Sequence, residues 1–291
     1  MGVCLLLGIT GRGLTARGLT ALAGAAALAA AALITSAVTA HTAAAAPDCP
    51  DIHWIGAAGS GERDGDLTAD AGMGTTVYRS YQEFRELAQR DGRTITAEAV
   101  EYPAVPVPGE GEVLGWAGFL SSVRTGAEAL GNQYAAFVQR CPDTTVVLAG
   151  YSQGAMVVHR NLHALAGSPN FGAALLVADG DRLPGDTTVD MGTVTAVSRP
   201  SMGVAQDWPI LAGPPTTPLP PSVGSRTISV CDIGDPVCDY DPAAGSAMTA
   251  EGVAIHTSYV SGHGESLPWT APLYRMLGSA PESVQLAAAE G

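Results

Sequence analysis

The sequence predicts an α/β fold in which helices cover both faces of a mostly parallel central sheet, in three layers. Three observations support this prediction. Short apolar segments alternate with segments of helical periodicity, which is the order that consecutive βαβ units produce. Two apolar segments, at 144–148 and 171–177, have the continuous pattern expected of parallel strands buried on both faces. A serine between two glycines follows the first of them, which predicts a sharp turn from strand to helix.

The other elements follow from local patterns along the chain. The first helix carries Val77 and Phe84 at helical spacing until Gly92 ends it, and the second strand alternates before Pro103. Strands are predicted at 52–57, 94–102, 144–148, 171–177 and 227–230, and helices at 75–90, 119–140, 155–165 and 271–277. We therefore expect one domain at 49–278, without repeats or an interdomain linker, followed by a flexible tail at 279–291.

The N-terminal region has the pattern of a cleaved signal peptide. Two arginines precede an almost uninterrupted apolar run at 19–34, and small residues form a cleavage pattern that ends at Ala40. A second such pattern ends at Ala44. Because the run is short for a membrane span, we expect residues 1–40 to be removed and the mature chain to be secreted, without a stable membrane span.

The composition excludes some classes of function. The chain has 28 acidic residues against 14 basic ones and a formal net charge of −14. This balance argues against nucleic acid or an anionic membrane surface as a partner. With 46% hydrophobic and 14% charged residues, the chain is expected to be globular rather than disordered.

The glycine-flanked serine, in Gly150-Tyr151-Ser152-Gln153-Gly154, is the candidate nucleophile. In this motif the serine occupies strained backbone at the apex of the turn, and small neighbours let the strand and the helix approach each other. The hydroxyl then leaves the sheet beside the free N–H groups of the helix N-terminus. The pattern predicts a serine hydrolase.

A serine hydroxyl needs a base to take its proton and an acid to orient that base. In this architecture the acid and then the histidine follow the serine along the chain. Asp235 is the preferred acid because it follows a predicted strand, between Cys231 and Cys238. Four other aspartates near strand ends compete with it: Asp179, Asp181, Asp232 and Asp239. His256 is the preferred base, since His263 lies in a glycine-flanked surface turn.

Acyl transfer also needs hydrogen-bond donors for the developing oxyanion. One is expected to be the backbone N–H of Gln153, directly after the nucleophile. The other is expected from Ser60, in the glycine-rich loop after the first strand. His159 and His163 lie one turn apart on the nucleophile helix, but their expected role is that of solvated or capping histidines rather than metal ligands. We therefore expect neither a metal nor a cofactor.

The cysteines predict two disulfide bonds. Four remain after the signal segment, and an even number in an exported chain points to disulfides, with three possible connectivities. The short segment between Cys231 and Cys238 favours a bond between these two, which leaves Cys49 with Cys141. A zinc site is disfavoured because the sequence has no Cys-x-x-Cys pair.

Several separated strings resemble the cutinase family of secreted esterases. In chain order they are Glu101-Tyr102-Pro103-Ala104, Cys141-Pro142-Asp143 leading into the serine motif, Cys231-x-x-Gly-Asp235-x-Val-Cys238, and His256-x-x-Tyr259. They lie within a region that extends from Cys49 to about Leu277. The resemblance implies a lid-poor α/β-hydrolase with an exposed Ser152–His256–Asp235 triad, an oxyanion hole from Ser60 and Gln153, and disulfides Cys49–Cys141 and Cys231–Cys238.

Two departures from the family pattern bear on function. Ala58 stands where the family often carries an arginine, which is expected to loosen the loop with Ser60. The connection at 183–225 contains eight prolines and is longer than the family's, and such a loop inside a compact domain is usually functional or disordered. Its apolar residues, among them Trp208 and Leu211, suggest that it partly covers the cleft and narrows substrate choice.

The sequence therefore predicts a secreted, monomeric carboxylic-ester hydrolase that works through an acyl-enzyme. Its expected substrates are cutin-like polyester or short- and medium-chain lipid esters. Acetylated polysaccharide is an alternative, because the related acetylxylan esterases share these motifs. A catalytically weak, exported lipid-binding protein of the same fold is the alternative from a different functional class.

Overall fold

The computed structural model describes residues 49–65, 68–109, 112–208, 211, 213–243, 248–261, 263 and 266–279. The expected signal peptide at 1–40, both of its cleavage positions, and residues 280–291 of the expected tail lie outside the described residues. Within the described part of the chain, no helix is both long enough and apolar enough to span a bilayer.

One parallel sheet forms the centre of the fold. Its strands are β1 (Ile52–Ala57), β2 (Ile95–Ala99), β3 (Thr145–Tyr151), β4 (Phe171–Val177), β5 (Val189–Met191) and β6 (Thr227–Val230). They lie in the order β2-β1-β3-β4-β6-β5, and every neighbouring pair is parallel. The predicted α/β class with a mostly parallel sheet is confirmed.

Helices cover both faces of this sheet. They are α1 (Thr75–Arg90), α2 (Val113–Arg140), α3 (Gln153–Leu162), α4 (Pro221–Gly224), α5 (Ala250–His256) and α6 (Thr270–Arg275). Because successive strand residues point to opposite faces, Ile55 and Leu148 pack with α2 and α3, while Trp54 and Val147 pack with α1 and α6. The result is the predicted three-layer arrangement.

Helix α2 begins six residues before the predicted start at Phe119. Its first turn is exposed, with Val113 at 69% and Leu114 at 88% of their full accessibility. Because Val113 and Leu114 face solvent, the start of the helix shows no amphipathic period in the sequence, and the pattern becomes visible only where Phe119 enters the core.

The long connection at 183–225 contains regular structure that the sequence did not predict. It supplies β5, which pairs with β6 at the edge of the sheet, and the short helix α4. Leu211 and Leu219 are buried against the core beside α2 and α3, and the carboxylate of Asp186 accepts the N–H groups of Thr187 and Leu219 at 2.7 Å. These contacts lie along the edge of the sheet and along α3. That this connection partly covers the cleft stays a prediction.

Both predicted cysteine pairs form disulfides in the structure. Cys49 pairs with Cys141, which joins the start of the described chain to the end of α2. Cys231 pairs with Cys238 and closes a short loop directly after β6. The second bond therefore fixes the segment in which the sequence locates the acid.

Candidate active site

Ser152 lies at the turn between β3 and α3, with φ of 53° and ψ of −117°. A positive φ is unusual for a residue with a side chain, and a hydrogen bond from its N–H to the carbonyl of Val177, at 2.9 Å, helps to hold it. A Cβ at Gly150 would overlap the backbone of Gly154, and a Cβ at Gly154 would overlap that of Ala57. The glycine spacing of the motif is thus required by how closely helix and strand approach.

The structure brings Ser152, His256 and Asp235 together in one chain of hydrogen bonds. His256 Nε2 lies 3.0 Å from Ser152 Oγ, and Nδ1 lies 2.9 and 3.0 Å from the two carboxylate oxygens of Asp235. His256 is the last residue of α5, and Asp235 lies in the disulfide-closed loop after β6. With Nδ1–H donating to the carboxylate, Nε2 is free to accept the serine proton.

Further hydrogen bonds hold the acid and the imidazole in place. Asp235 is completely buried and also accepts the N–H of Val237 at 2.8 Å and the phenol of Tyr259 at 2.7 Å. The hydroxyl of Tyr151 donates to the carbonyl of His256 at 2.8 Å, and its ring stacks on the imidazole. The residue before Ser152 therefore positions the backbone of the predicted base.

The side chain of Gln153 orients the hydroxyl of Ser60. Gln153 Nε2 donates to Ser60 Oγ and to the carbonyl of Val105, each at 3.1 Å, while its Oε1 accepts the hydroxyl of Ser122 at 2.9 Å. Because Ser60 Oγ accepts from Gln153, its own O–H is free to donate to another oxygen. The Ser60 hydroxyl is thus available as the second donor that the sequence predicts for an oxyanion.

Glu62 fixes the loop that carries Ser60. Its carboxylate accepts the N–H of Gly59 at 2.5 Å and that of Thr75, in the first turn of α1, at 3.0 Å. Burial raises the pKa of Glu62, although these two N–H groups oppose the shift. The carbonyl of Ala58 accepts the hydroxyl of Tyr102. The loop that lacks the family arginine is therefore held by other hydrogen bonds.

The competing candidates near the site have other partners. Asp232 accepts a backbone N–H at 2.8 Å, and Asp239 accepts one at 2.9 Å. The ring of His263 packs edge-on against Trp269, with centroids 5.6 Å apart. Of the acids and bases that the sequence offered, Asp235 and His256 are those that form the hydrogen-bonded chain to Ser152.

The expectation that His159 is solvated or capping was wrong. Only 1% of the residue is exposed, its Nδ1 lies 2.6 Å from Asp179 Oδ2, and its Nε2 lies 3.7 Å from Asp186 Oδ2. Burial opposes the charged ring, but Asp179, Asp181 and Asp186 outweigh it and raise the pKa of His159. His163, by contrast, is partly exposed and binds a backbone carbonyl at 3.0 Å.

Sequence reasoning did not assign roles to Glu62, Tyr151, Tyr259 or Ser122. Apart from the bond between Glu62 and Gly59, their contacts join segments that are distant along the chain, so no spacing rule points to them. Among these four residues, only Tyr259 had a signal in the sequence, since it lies three residues after His256 in the string that resembles the cutinase family.

Comparisons with known proteins indicate the family of this chain. A family model for cutinase matches residues 48–271. Probable carboxylesterase Culp3 of Mycobacterium tuberculosis is 29% identical over 200 residues, which are 68% of this chain but only 62% of that protein. Acetylxylan esterase 2 of Talaromyces purpureogenus is 27% identical over 226 residues, covering 74% of this chain and 83% of the relative.

Among solved structures, a cutinase-like protein from Cryptococcus sp. aligns with a TM-score of 0.54 at 19% identity. The alignment covers 80% of this chain and 98% of that one, and it bears on the fold alone. The family model extends over most of the sequence, from the first disulfide cysteine into α6. The chain therefore belongs to the cutinase family.

Proposed function

We propose that this chain is a carboxylic-ester hydrolase in which Ser152 is the nucleophile, His256 the general base and Asp235 the orienting acid. The observation that carries the proposal is the hydrogen-bonded chain from Ser152 Oγ through the imidazole to the Asp235 carboxylate, with links of 3.0 and 2.9 Å. Membership of the cutinase family and similarity to a probable carboxylesterase support the same reaction class.

The proposed reaction passes through an acyl-enzyme. As Ser152 Oγ attacks the ester carbonyl, its proton moves to His256 Nε2, and Asp235 stabilises the imidazolium that forms. The negative charge on the former carbonyl oxygen is met by the N–H of Gln153 and the hydroxyl of Ser60. The imidazolium then protonates the leaving alcohol, and a water activated by the same nitrogen hydrolyses the acyl-enzyme.

Water-insoluble esters, such as cutin-like polyester or medium-chain lipid esters, are the proposed substrates. Val107 and Leu114, exposed by 45% and 88%, lie in the segment after Val105, whose carbonyl binds Gln153. Ile233 and Val253, each 39% exposed, lie two residues before Asp235 and three before His256. Exposed apolar residues that lie close in sequence to the proposed site residues suit an apolar, aggregated substrate. The disulfides fit an oxidising compartment, and we place the activity outside the cell.

Replacing the nucleophile is the decisive test of the reaction. Ser152→Ala is expected to lower kcat on p-nitrophenyl butyrate by a factor on the order of 10⁵ and to abolish labelling by a fluorophosphonate probe, with an unchanged Tm. Ser121→Ala, an exposed serine on α2, serves as the matched control. Labelling or substantial turnover in the Ser152→Ala variant would show that another residue attacks the ester.

A substrate panel tests the proposed ester class. Acetate, butyrate and octanoate esters and a triacylglycerol emulsion are compared for the wild type and for a variant with Val113→Ser and Leu114→Ser. The variant is expected to lose activity on the emulsion and to keep it on soluble butyrate. A strong preference for acetate esters without activity on the emulsion would favour an acetylated polysaccharide. Emulsion binding without probe labelling would favour a lipid-binding protein.

A further inference from the structure

The hydroxyl of Tyr259 joins the loop of the proposed acid to the segment of the proposed base. Tyr259 lies three residues after His256 and is only 2% exposed. Its phenol oxygen is 2.7 Å from Asp235 Oδ2, 3.0 Å from the nitrogen of Asp232 and 3.4 Å from Cys238 Sγ. One hydroxyl therefore contacts the start, the middle and the end of the disulfide-closed loop.

The chemistry of the partners fixes the direction of these hydrogen bonds. The backbone N–H of Asp232 can only donate, so the phenol oxygen accepts there and uses its own proton for the Asp235 carboxylate. Burial, together with the nearby charge of Asp235, raises the pKa of Tyr259 well above its ordinary value. The phenol thus keeps its proton and remains a donor.

The Asp235 carboxylate is held at both oxygens. Oδ1 accepts the N–H of Val237 at 2.8 Å, and Oδ2 accepts the phenol of Tyr259 at 2.7 Å. Both oxygens also lie within 3.0 Å of His256 Nδ1. Because Asp235 is completely buried, loss of one donor would free the carboxylate to rotate and would concentrate its charge on the imidazole.

We propose that Tyr259 is a positioning residue of the reaction: its hydroxyl fixes the plane of the Asp235 carboxylate and moderates the charge that this carboxylate presents to His256. This role rests on the proposed function of the Ser152 site. The other groups that face the imidazole are the ring of Tyr151 and, at longer range, the carboxylate of Glu62. Tyr259 acts on the imidazole through Asp235.

Tyr259→Phe removes the hydroxyl and keeps the ring. The freed carboxylate stabilises the imidazolium more strongly, so the acid limb of the kcat/KM profile is expected to move to higher pH by about half a unit or more. Loss of one hydrogen bond to a charged group also predicts a fall in kcat of roughly tenfold at nearly unchanged KM. A role in folding alone would lower Tm without moving the pH profile.

Tyr274→Phe is the matched control, because the hydroxyl of Tyr274 donates to Asp91 Oδ2 at 2.8 Å where α1 ends. It deletes the same kind of tyrosine–aspartate bond away from Ser152, and its kcat/KM profile is expected to match that of the wild type. If Tyr259→Phe changes only Tm, as this control is expected to, the positioning role is refuted.

An NMR titration of the His256 ring, assigned with a His256→Gln variant, makes the test independent of turnover. The titration midpoint is expected to rise in Tyr259→Phe and to stay unchanged in Tyr274→Phe. If the wild type neither hydrolyses esters nor reacts with a fluorophosphonate, the proposed function fails, while the titration still decides whether Tyr259 acts on the imidazole. Equal midpoints in wild type and Tyr259→Phe would overturn the proposal.

Discussion

Two buried histidine–aspartate pairs in the described part of the chain differ in what faces the second ring nitrogen. In the pair of His256 and Asp235, Nε2 faces the Ser152 hydroxyl at 3.0 Å. In the pair of His159 and Asp179, Nε2 faces a second carboxylate at 3.7 Å. A neutral ring beside a hydroxyl can accept a proton, whereas a ring between two carboxylates is stabilised with its proton on. The group that faces Nε2, rather than the aspartate at Nδ1, therefore distinguishes a ring that is able to accept a proton from a ring held in an ion pair.

The two pairs also join different parts of the fold. His159 lies on α3, Asp179 follows β4, and Asp186 belongs to the long connection whose two ends it ties together through the N–H groups of Thr187 and Leu219. The contact between His159 and Asp186 therefore attaches this connection to α3. Its expected contribution is to stability, and that of the His256 pair is to catalysis.

The largest expected effect is that of His256→Gln on catalysis. Without a proton acceptor at Ser152, kcat/KM is expected to fall by about 10⁴-fold or more, while Tm changes little because Tyr259 and Val237 still bind Asp235. His263→Gln, at the other histidine considered as the base, should retain full activity. An active His256→Gln enzyme would remove the distinction between the two pairs.

The second-largest expected effect is that of His159→Gln, which should lower stability and leave activity nearly unchanged. Breaking a buried charged pair leaves carboxylates without their counterion, and the free energy of unfolding should fall by about 3 kcal/mol. Urea denaturation measures this loss, and kcat per fluorophosphonate-labelled site should stay within a few-fold of the wild type. A loss of kcat as large as that in His256→Gln would mean that both histidines serve the reaction.

The pH dependence of stability sharpens the same comparison. The aspartates around His159 raise its pKa above the unfolded value of about 6.5, so its stabilising charge is fully present below that pH. The contribution is lost as pH rises through the higher folded pKa. The difference in unfolding free energy between wild type and His159→Gln should therefore shrink as the pH rises above about 6.5. A gap that widens with pH would contradict a charged His159.

The smallest expected effect is that of Asp186→Asn on the free energy of unfolding. The new side chain keeps the oxygen that accepts the N–H groups of Thr187 and Leu219 and offers Nε2 of His159 a donor, which favours the neutral ring. Stability near pH 7 should change by about 1 kcal/mol or less, with a flatter pH dependence than in the wild type. Asp143→Asn, at an exposed aspartate in the turn before β3, is the control.

Local patterns in the sequence were sufficient for the elements with a strong period and for the hydrogen-bonded chain itself. The glycine spacing predicted the turn at Ser152, and the order rule with the cutinase strings selected Asp235 and His256. The sequence did not predict the short strand β5, because it has three residues and none of them is buried. The short helix α5 was not predicted either, although it carries His256 at its last position.

The sequence did not predict which side chains from distant segments contact each other in the fold. A polar residue on a helix is usually solvent-facing, so His159 was expected in water, yet Asp179 and Asp186 meet it from other segments. Glu62 and Tyr259 look like ordinary loop residues in the sequence, and only the fold brings the start of α1 beside Glu62 and the disulfide-closed loop beside Tyr259. Such roles depend on tertiary contacts that no local period encodes.

All strands of the sheet run in one direction, so their carboxyl ends share one edge. The loops with Ser60, Ser152 and Asp235 follow β1, β3 and β6 at that edge. They are three separate segments attached to the same sheet. A family with this layout can diversify one segment at a time. The connection between β4 and β6 also begins at that edge, and it adds β5 to the sheet beside β6 without involving the strand that precedes Ser152.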